Sequence, residues 1–106
     1  MKSYEVYATD SFWEDYYKLS KMEQKRVDKI RDQLKINPYS GKPLGYKFFR
    51  EKRFDGKRLY YLVYDNYVIV FVVAISDKKT QQTTINVIKR MFEVYRQEVY
   101  DKFQNK

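Results

Sequence analysis

Four residues in the middle of the chain have the types and spacing that acid–base chemistry on an anion requires: Glu51, Arg53, Arg58 and Tyr60. They lie in the stretch KFFREKRFDGKRLYY, where Asp55-Gly56 separates two segments crowded with basic and aromatic residues. Asp-Gly favours a two-residue hairpin turn because both positions tolerate positive φ. Such a turn pairs Phe54 with Lys57, Arg53 with Arg58, Glu51 with Tyr60, and Phe49 with Leu62. Side chains alternate across a sheet. One face then carries Phe49, Glu51, Arg53, Arg58, Tyr60 and Leu62, and the other carries Arg50, Lys52, Leu59, Tyr61 and Val63.

Like charges directly opposite each other destabilise a strand pair by a few tenths of a kcal/mol, about 0.2–1. Arg53 facing Arg58 is relieved if Glu51 lies between them, as a surface network, or if a phosphate does. In the second case the guanidinium forks match phosphate geometry, and the carboxylate is placed to take a proton. Cleavage of RNA by 2′-OH attack needs a base, cations for the developing charge and an acid for the leaving oxygen. Glu51 is the only base on this face. Tyr60 can stack a nucleobase, donate a proton or simply pack.

The composition removes most other chemistries. With no cysteine and no histidine, disulfides, thiolate nucleophiles, Cys/His zinc sites and histidine acid–base pairs are excluded. The net charge is +8, and residues 42–58 hold seven basic residues against two acidic ones. An anionic partner is therefore expected: nucleic acid, anionic membrane or acidic protein. A further basic cluster, Asp77-Lys78-Lys79-Thr80-Gln81, follows an apolar run, and Thr80 is placed to cap a helix there. The N-terminus lacks the apolar core of a signal peptide. The longest apolar run, Val68 to Ile75, has eight residues, far fewer than the ~20 needed to span a bilayer as a helix. One cytoplasmic domain over residues 1–106 is expected.

These residues must be positioned by a small α+β fold. Tyr4 to Thr9 alternates as a short strand. Ser11 to Glu14 fits a capping box, and Phe12, Tyr16 and Leu19 follow at helical spacing; Ser20 to Glu23 is a second box ahead of Val27, Ile30 and Leu34. Pro38 to Gly45 reads as a loop. The hairpin comes next, then a buried strand from Val68 to Ile75, with Asp65-Asn66 as the turn before it. A single long helix is expected from about Lys79 to Lys102, with Ile85, Ile88, Phe92, Tyr95 and Val99 inward. The order is β-α-α-β-β-β-α, a mainly antiparallel sheet packed by helices.

The order of elements, with Gly-Lys-Pro-Leu (41–44), Arg-Glu-Lys-Arg (50–53), Gly-Lys-Arg-Leu-Tyr-Tyr (56–61) and Asp-Lys-Lys-Thr-Gln (77–81), resembles the RelE/ParE superfamily of type II toxins. The match is nearest to its HigB-type branch. The resemblance implies a ribosome-dependent mRNA endonuclease, needing no metal or organic cofactor and neutralised by a cognate antitoxin. Carried over by position, it implies roles for Glu51, Arg53, Arg58 and Lys78, with Lys79 beside them. Separately, the basic residues Lys47, Arg50, Lys52 and Lys79 are expected to add affinity for RNA, with Tyr60 as the candidate stacking ring. RelE itself favours lysines where this chain has Phe49 and Glu51, and a tyrosine where it has Thr84. Two other readings stand beside the nuclease: a ParE-like gyrase inhibitor acting by protein contact, and a plain RNA- or DNA-binding module.

Overall fold

The computed structural model describes residues 3–105. A five-stranded sheet forms the middle layer, in the order β1-β5-β4-β3-β2. Its strands are β1 (Glu5–Ala8), β2 (Lys42–Tyr46), β3 (Phe49–Phe54), β4 (Lys57–Tyr64) and β5 (Ile69–Asp77). Only β1 runs parallel to its neighbour, β5. Helices α1 (Asp10–Tyr17) and α2 (Lys21–Ile36) cover one face, and α3 (Gln81–Arg90) and α4 (Phe92–Gln104) cover the other. The α+β class and sheet-with-helices architecture agree with the sequence.

The two apolar layers follow from strand alternation. Leu59, Tyr61, Val63, Val70 and Val72 point toward Phe12, Tyr16, Val27, Ile30 and Leu34 of α1 and α2. Their alternates Phe49, Tyr60, Leu62, Ile69, Phe71 and Val73 meet Ile85, Ile88, Tyr95 and Val99 of α3 and α4. The central strand β5 is covered on both sides, which accounts for its unbroken apolar run. Each such side chain, fully buried, stabilises the fold by about 1.5–3 kcal/mol.

Local chemistry sets most boundaries. Ser20 and Glu23 form the reciprocal capping box expected of α2. The cap of α1 is a correction: Thr9, not Ser11, accepts the Phe12 amide at 3.1 Å, and Ser11 lies within the first turn. Thr9 also donates to the Val73 carbonyl, tying the helix start to β5. The hairpin register matches the expectation pair by pair, with Asp55 at φ 48° and Gly56 at φ 77°, as a primed turn requires. Val68 is not in the strand but closes the preceding turn at φ 57°, a strained conformation for a β-branched residue.

Two further elements differ from expectation. The Pro/Gly-rich segment after α2 is not all loop: Lys42–Tyr46 forms the edge strand β2, with an irregularity between Pro43 and Tyr46. The last helix is two helices. Met91, at φ −100° and ψ 2°, interrupts the α-helical path with its amide on the Ile88 carbonyl. No helix among the described residues is long and apolar enough to cross a membrane.

Candidate anion-binding site

The hairpin places its charges in two rows on the α3–α4 side of the sheet. One row runs Lys42, Glu51, Tyr60, Ala74 across β2, β3, β4 and β5; the next runs Arg53, Arg58, Ser76. Beyond Ser76, Asp77 pairs with Lys57 at the strand end. The exposed Lys78 and Lys79 follow at once and lead into α3.

Glu51 is 2% exposed. Its Oε1 accepts a hydrogen bond from Gln81 Nε2 at 3.1 Å. Its Oε2 is buried with no hydrogen-bond partner, and Arg53 Nε lies 3.8 Å from it. That distance gives an ion pair but is too long for a hydrogen bond. The Arg53 side chain is itself 64% exposed, so its charge is available to a ligand.

Arg58 is the less expected feature. Its residue is 5% exposed, yet it forms no ion pair with any described residue. One Nη1–H donates to the Gly56 carbonyl at 3.0 Å, and the buried Nε–H has no partner. Burying a cation costs several kcal/mol, on the order of 3–5 when one partner of a buried pair is missing. A diagonal step across the strands separates Arg58 from Glu51, within the ~7–8 Å reach of long side chains. Two opposite charges thus lie buried on one face, each with an unused hydrogen-bonding atom. An anion bearing a hydroxyl fits that demand: its oxygens satisfy the guanidinium, and its O–H satisfies the carboxylate.

The turn after β5 is held in place by its own residues. Asp77 Oδ1 accepts the Thr80 amide at 2.8 Å and the Thr80 hydroxyl at 2.9 Å. These bonds, the amide first, hold the Asp77 carboxyl below its ordinary pKa. Thr80 spends its hydroxyl here, and so makes no side-chain cap to α3. The clip fixes Lys78, Lys79 and Gln81 relative to the strand end.

Not every residue singled out in the sequence reaches this face. Tyr60 is fully buried, and its hydroxyl is 2.7 Å from Ser76 Oγ, which in turn donates to the Asp77 carbonyl. Burial pushes its phenol pKa up. Tyr60 therefore cannot stack a base; it is a floor under the arginines. Arg50 and Lys52 fall on the opposite face, because the β3–β4 register is regular and the irregularities lie in the β4–β5 and β2–β3 pairs instead. Arg50 donates to the Gly41 and Lys47 carbonyls, at 2.9 and 2.8 Å, and lies over the Tyr39 ring. Lys47 also lies over Tyr39, and Lys52 lines a cleft against α2 beside Lys29, Asp32 and Ile36. These three serve the scaffold or the α2 side.

Three residues without a role in the sequence reading lie at the site. Gln81 and Ser76 meet it through contacts 30 and 16 residues apart in sequence, which local patterns do not reveal. Lys42, exposed and directly opposite Glu51, was hidden with β2. Its neighbour Gly41 is obligatory: a Cβ there would lie 2.5 Å from the Glu51 carbonyl and 2.6 Å from the Tyr61 hydroxyl.

No protein-family model and no curated protein matches the chain. Solved structures do match. The free Escherichia coli toxin RelE, as a double mutant, aligns with a TM-score of 0.72 at 20% identity, covering 84% of this chain and 98% of that one. The RelBE2 toxin–antitoxin complex of Mycobacterium tuberculosis gives 0.65 at 24% identity, over 74% of this chain and 94% of that one. The archaeal RelE–RelB complex of Pyrococcus horikoshii gives 0.64 at 18%, over 72% and 96%. The chain shares the RelE-like fold.

Proposed function

We propose that this chain is a toxin of a type II toxin–antitoxin system, of HigB type within the RelE/ParE group, that cleaves mRNA on the ribosome. The observation that carries the reading is the buried Arg58 without a counter-ion, beside a buried Glu51 with a free oxygen. Arg53, Arg58 and Lys78 hold the scissile phosphate and stabilise the charge that builds on it. Glu51 Oε2 takes the 2′-OH proton as that oxygen bonds to phosphorus. The bond from phosphorus to the 5′-oxygen breaks, leaving a 2′,3′-cyclic phosphate and a 5′-hydroxyl. The leaving oxygen takes its proton from Lys78 or Lys79, since Tyr60 is occupied with Ser76.

The neighbours support the partner as well: two of the three structures above are complexes of a RelE-type toxin with its antitoxin. A cognate antitoxin that covers the basic face is the corresponding expectation for this chain. The gyrase-inhibitor reading drew on one long C-terminal helix and on the departures from RelE at Phe49, Glu51 and Thr84; the helix is two shorter helices, while the departures stand.

The test is translation of a defined mRNA with purified ribosomes, followed by primer extension. Cleavage by the wild type that is lost in Glu51→Gln supports the reading. Intact mRNA with gyrase-dependent DNA breaks replaces it with the non-nuclease alternative.

A further inference from the structure

The edge strand β2 has a second feature on the same face as Glu51. Lys42 pairs with Glu51 and Pro43 with Arg50, but Tyr46 pairs with Phe49. A regular ladder would set residue 44 against Phe49, so β2 carries two extra residues at the irregularity. An even insertion preserves the alternation, and Tyr46 is returned to the Glu51 face. Gly45 makes the detour possible at φ 90°. Bulges of this kind re-aim side chains next to functional sites.

The ring so presented is not core. Tyr46 is 45% exposed, held by Phe48 and Phe92 at centroid distances of 5.2 Å each. Lys89 Nζ from α3 lies 6.0 Å above the ring. Tyr46 is two residues along the sheet from the Glu51 row, and the arginine row is two residues the other way. At ~3.3 Å per residue, the Tyr46 and arginine rows are about 13 Å apart along the strands, with one or two strand spacings of ~4.8 Å across them, a separation that a few nucleotides of extended strand cover. Lys42, exposed on β2, lies between them. An exposed aromatic beside cations, in line with a phosphate site, is the composition of single-strand binding surfaces.

We infer that Tyr46, with Lys89, forms a base-stacking subsite for a nucleotide flanking the one held at Arg53 and Arg58. It rests on the nucleic-acid reading above. The subsite takes a planar base without regard to sequence, while Lys42 and Lys89 follow the phosphates. The gain from one stacked base is about tenfold or more in affinity.

The test is fluorescence anisotropy with labelled 2′-O-methyl di- and tetranucleotides, which cannot be cleaved by 2′-OH attack. Wild type is expected to bind the tetranucleotide about tenfold tighter than the dinucleotide. Tyr46→Leu, which keeps apolar bulk against Phe48 and Phe92, should reduce that difference to what the lysines contribute and leave dinucleotide binding unchanged; Tyr46→Trp should retain it. If Tyr46→Leu melts early, Lys89→Gln, at an exposed position, carries the test through a reduced length advantage. A full length advantage in both variants overturns the subsite, even while Arg58→Met weakens both probes. Wild type binding neither probe overturns the anion site, and the subsite with it.

Discussion

On the α1–α2 side of the β3–β4 hairpin, most charges find partners, although Lys52 has no ion pair among the described residues and Arg31 Nε is buried without a hydrogen bond. Lys57 pairs with Glu23, Arg26 with Asp55 at 2.9 Å, and Arg50 spends its guanidinium on two carbonyls. On the α3–α4 side, Arg58 and Glu51 are more deeply buried yet carry unused hydrogen-bonding atoms. The same two strands, with the same residue types, thus make a finished surface and an unfinished one. Buried polar groups are ordinarily satisfied, and on the α3–α4 side the two unsatisfied atoms belong to opposite charges one diagonal step apart, the arrangement on which the proposed ligand site rests. Charge density alone would have put both faces in the site.

The comparison is broken most directly at Arg58. Arg58→Met should reduce mRNA cleavage by about 10²–10³-fold, the effect of deleting one preorganised charge at a transition state. Its thermal midpoint should hold or rise, because an apolar replacement removes a buried, uncompensated cation. Cleavage assays beside calorimetry read both; a variant that is inactive because it is unfolded would show the opposite stability change.

Next in size is Gly41→Ala, which pushes a methyl into the Glu51 carbonyl and the Tyr61 hydroxyl. Overpacking of this kind costs about 1–3 kcal/mol, measurable by urea denaturation. It should disturb the site as well, since the displaced backbone is that of Glu51. Thr9→Ala, remote from the arginines, should cost ~1 kcal/mol for the lost cap with cleavage unchanged, and so separates stability from function.

The smallest expected effect is a pH dependence on the finished side. Asp65 accepts hydroxyls from Tyr39 and Tyr4, at 2.7 and 2.8 Å, and the Tyr39 bond foremost holds its carboxyl below the ordinary value. A carboxyl with a depressed folded pKa contributes stability above its unfolded pKa and loses it as pH falls through the folded one. Asp65→Asn should therefore flatten the acid limb of the stability–pH curve below the ordinary carboxylate range. An unchanged limb would show that these hydroxyl bonds add nothing.

What was legible in the sequence was local. The Asp55-Gly56 turn determined the pairing of every residue from Phe49 to Leu62, and Ser20 and Glu23 marked the α2 start. What was not legible depended on distant or ambiguous partners. Thr9 and Ser11 are both able to cap, and the carbonyl of Val73, far along the chain, distinguishes Thr9. Pro43 and Gly45 hid β2, because an irregular edge strand tolerates residues that a central one does not. No glycine or proline marks the break at Met91. Gln81 was visible in a motif, but its bond to Glu51 needed the fold.

The sheet order sets when this protein comes into being on its own ribosome. Strand β5 is the last strand made, yet it sits between β1 and β4. The first strand thus waits for more than half the chain before it finds its partner, in a parallel pairing of long sequence separation. Contacts of that kind fold slowly, because loop closure must precede them. Arg58 likewise lacks its neighbour Ser76 until then. A nascent chain short of Asp77 has no completed sheet, and its basic hairpin still lacks Lys78 and the Gln81 amide that bonds Glu51.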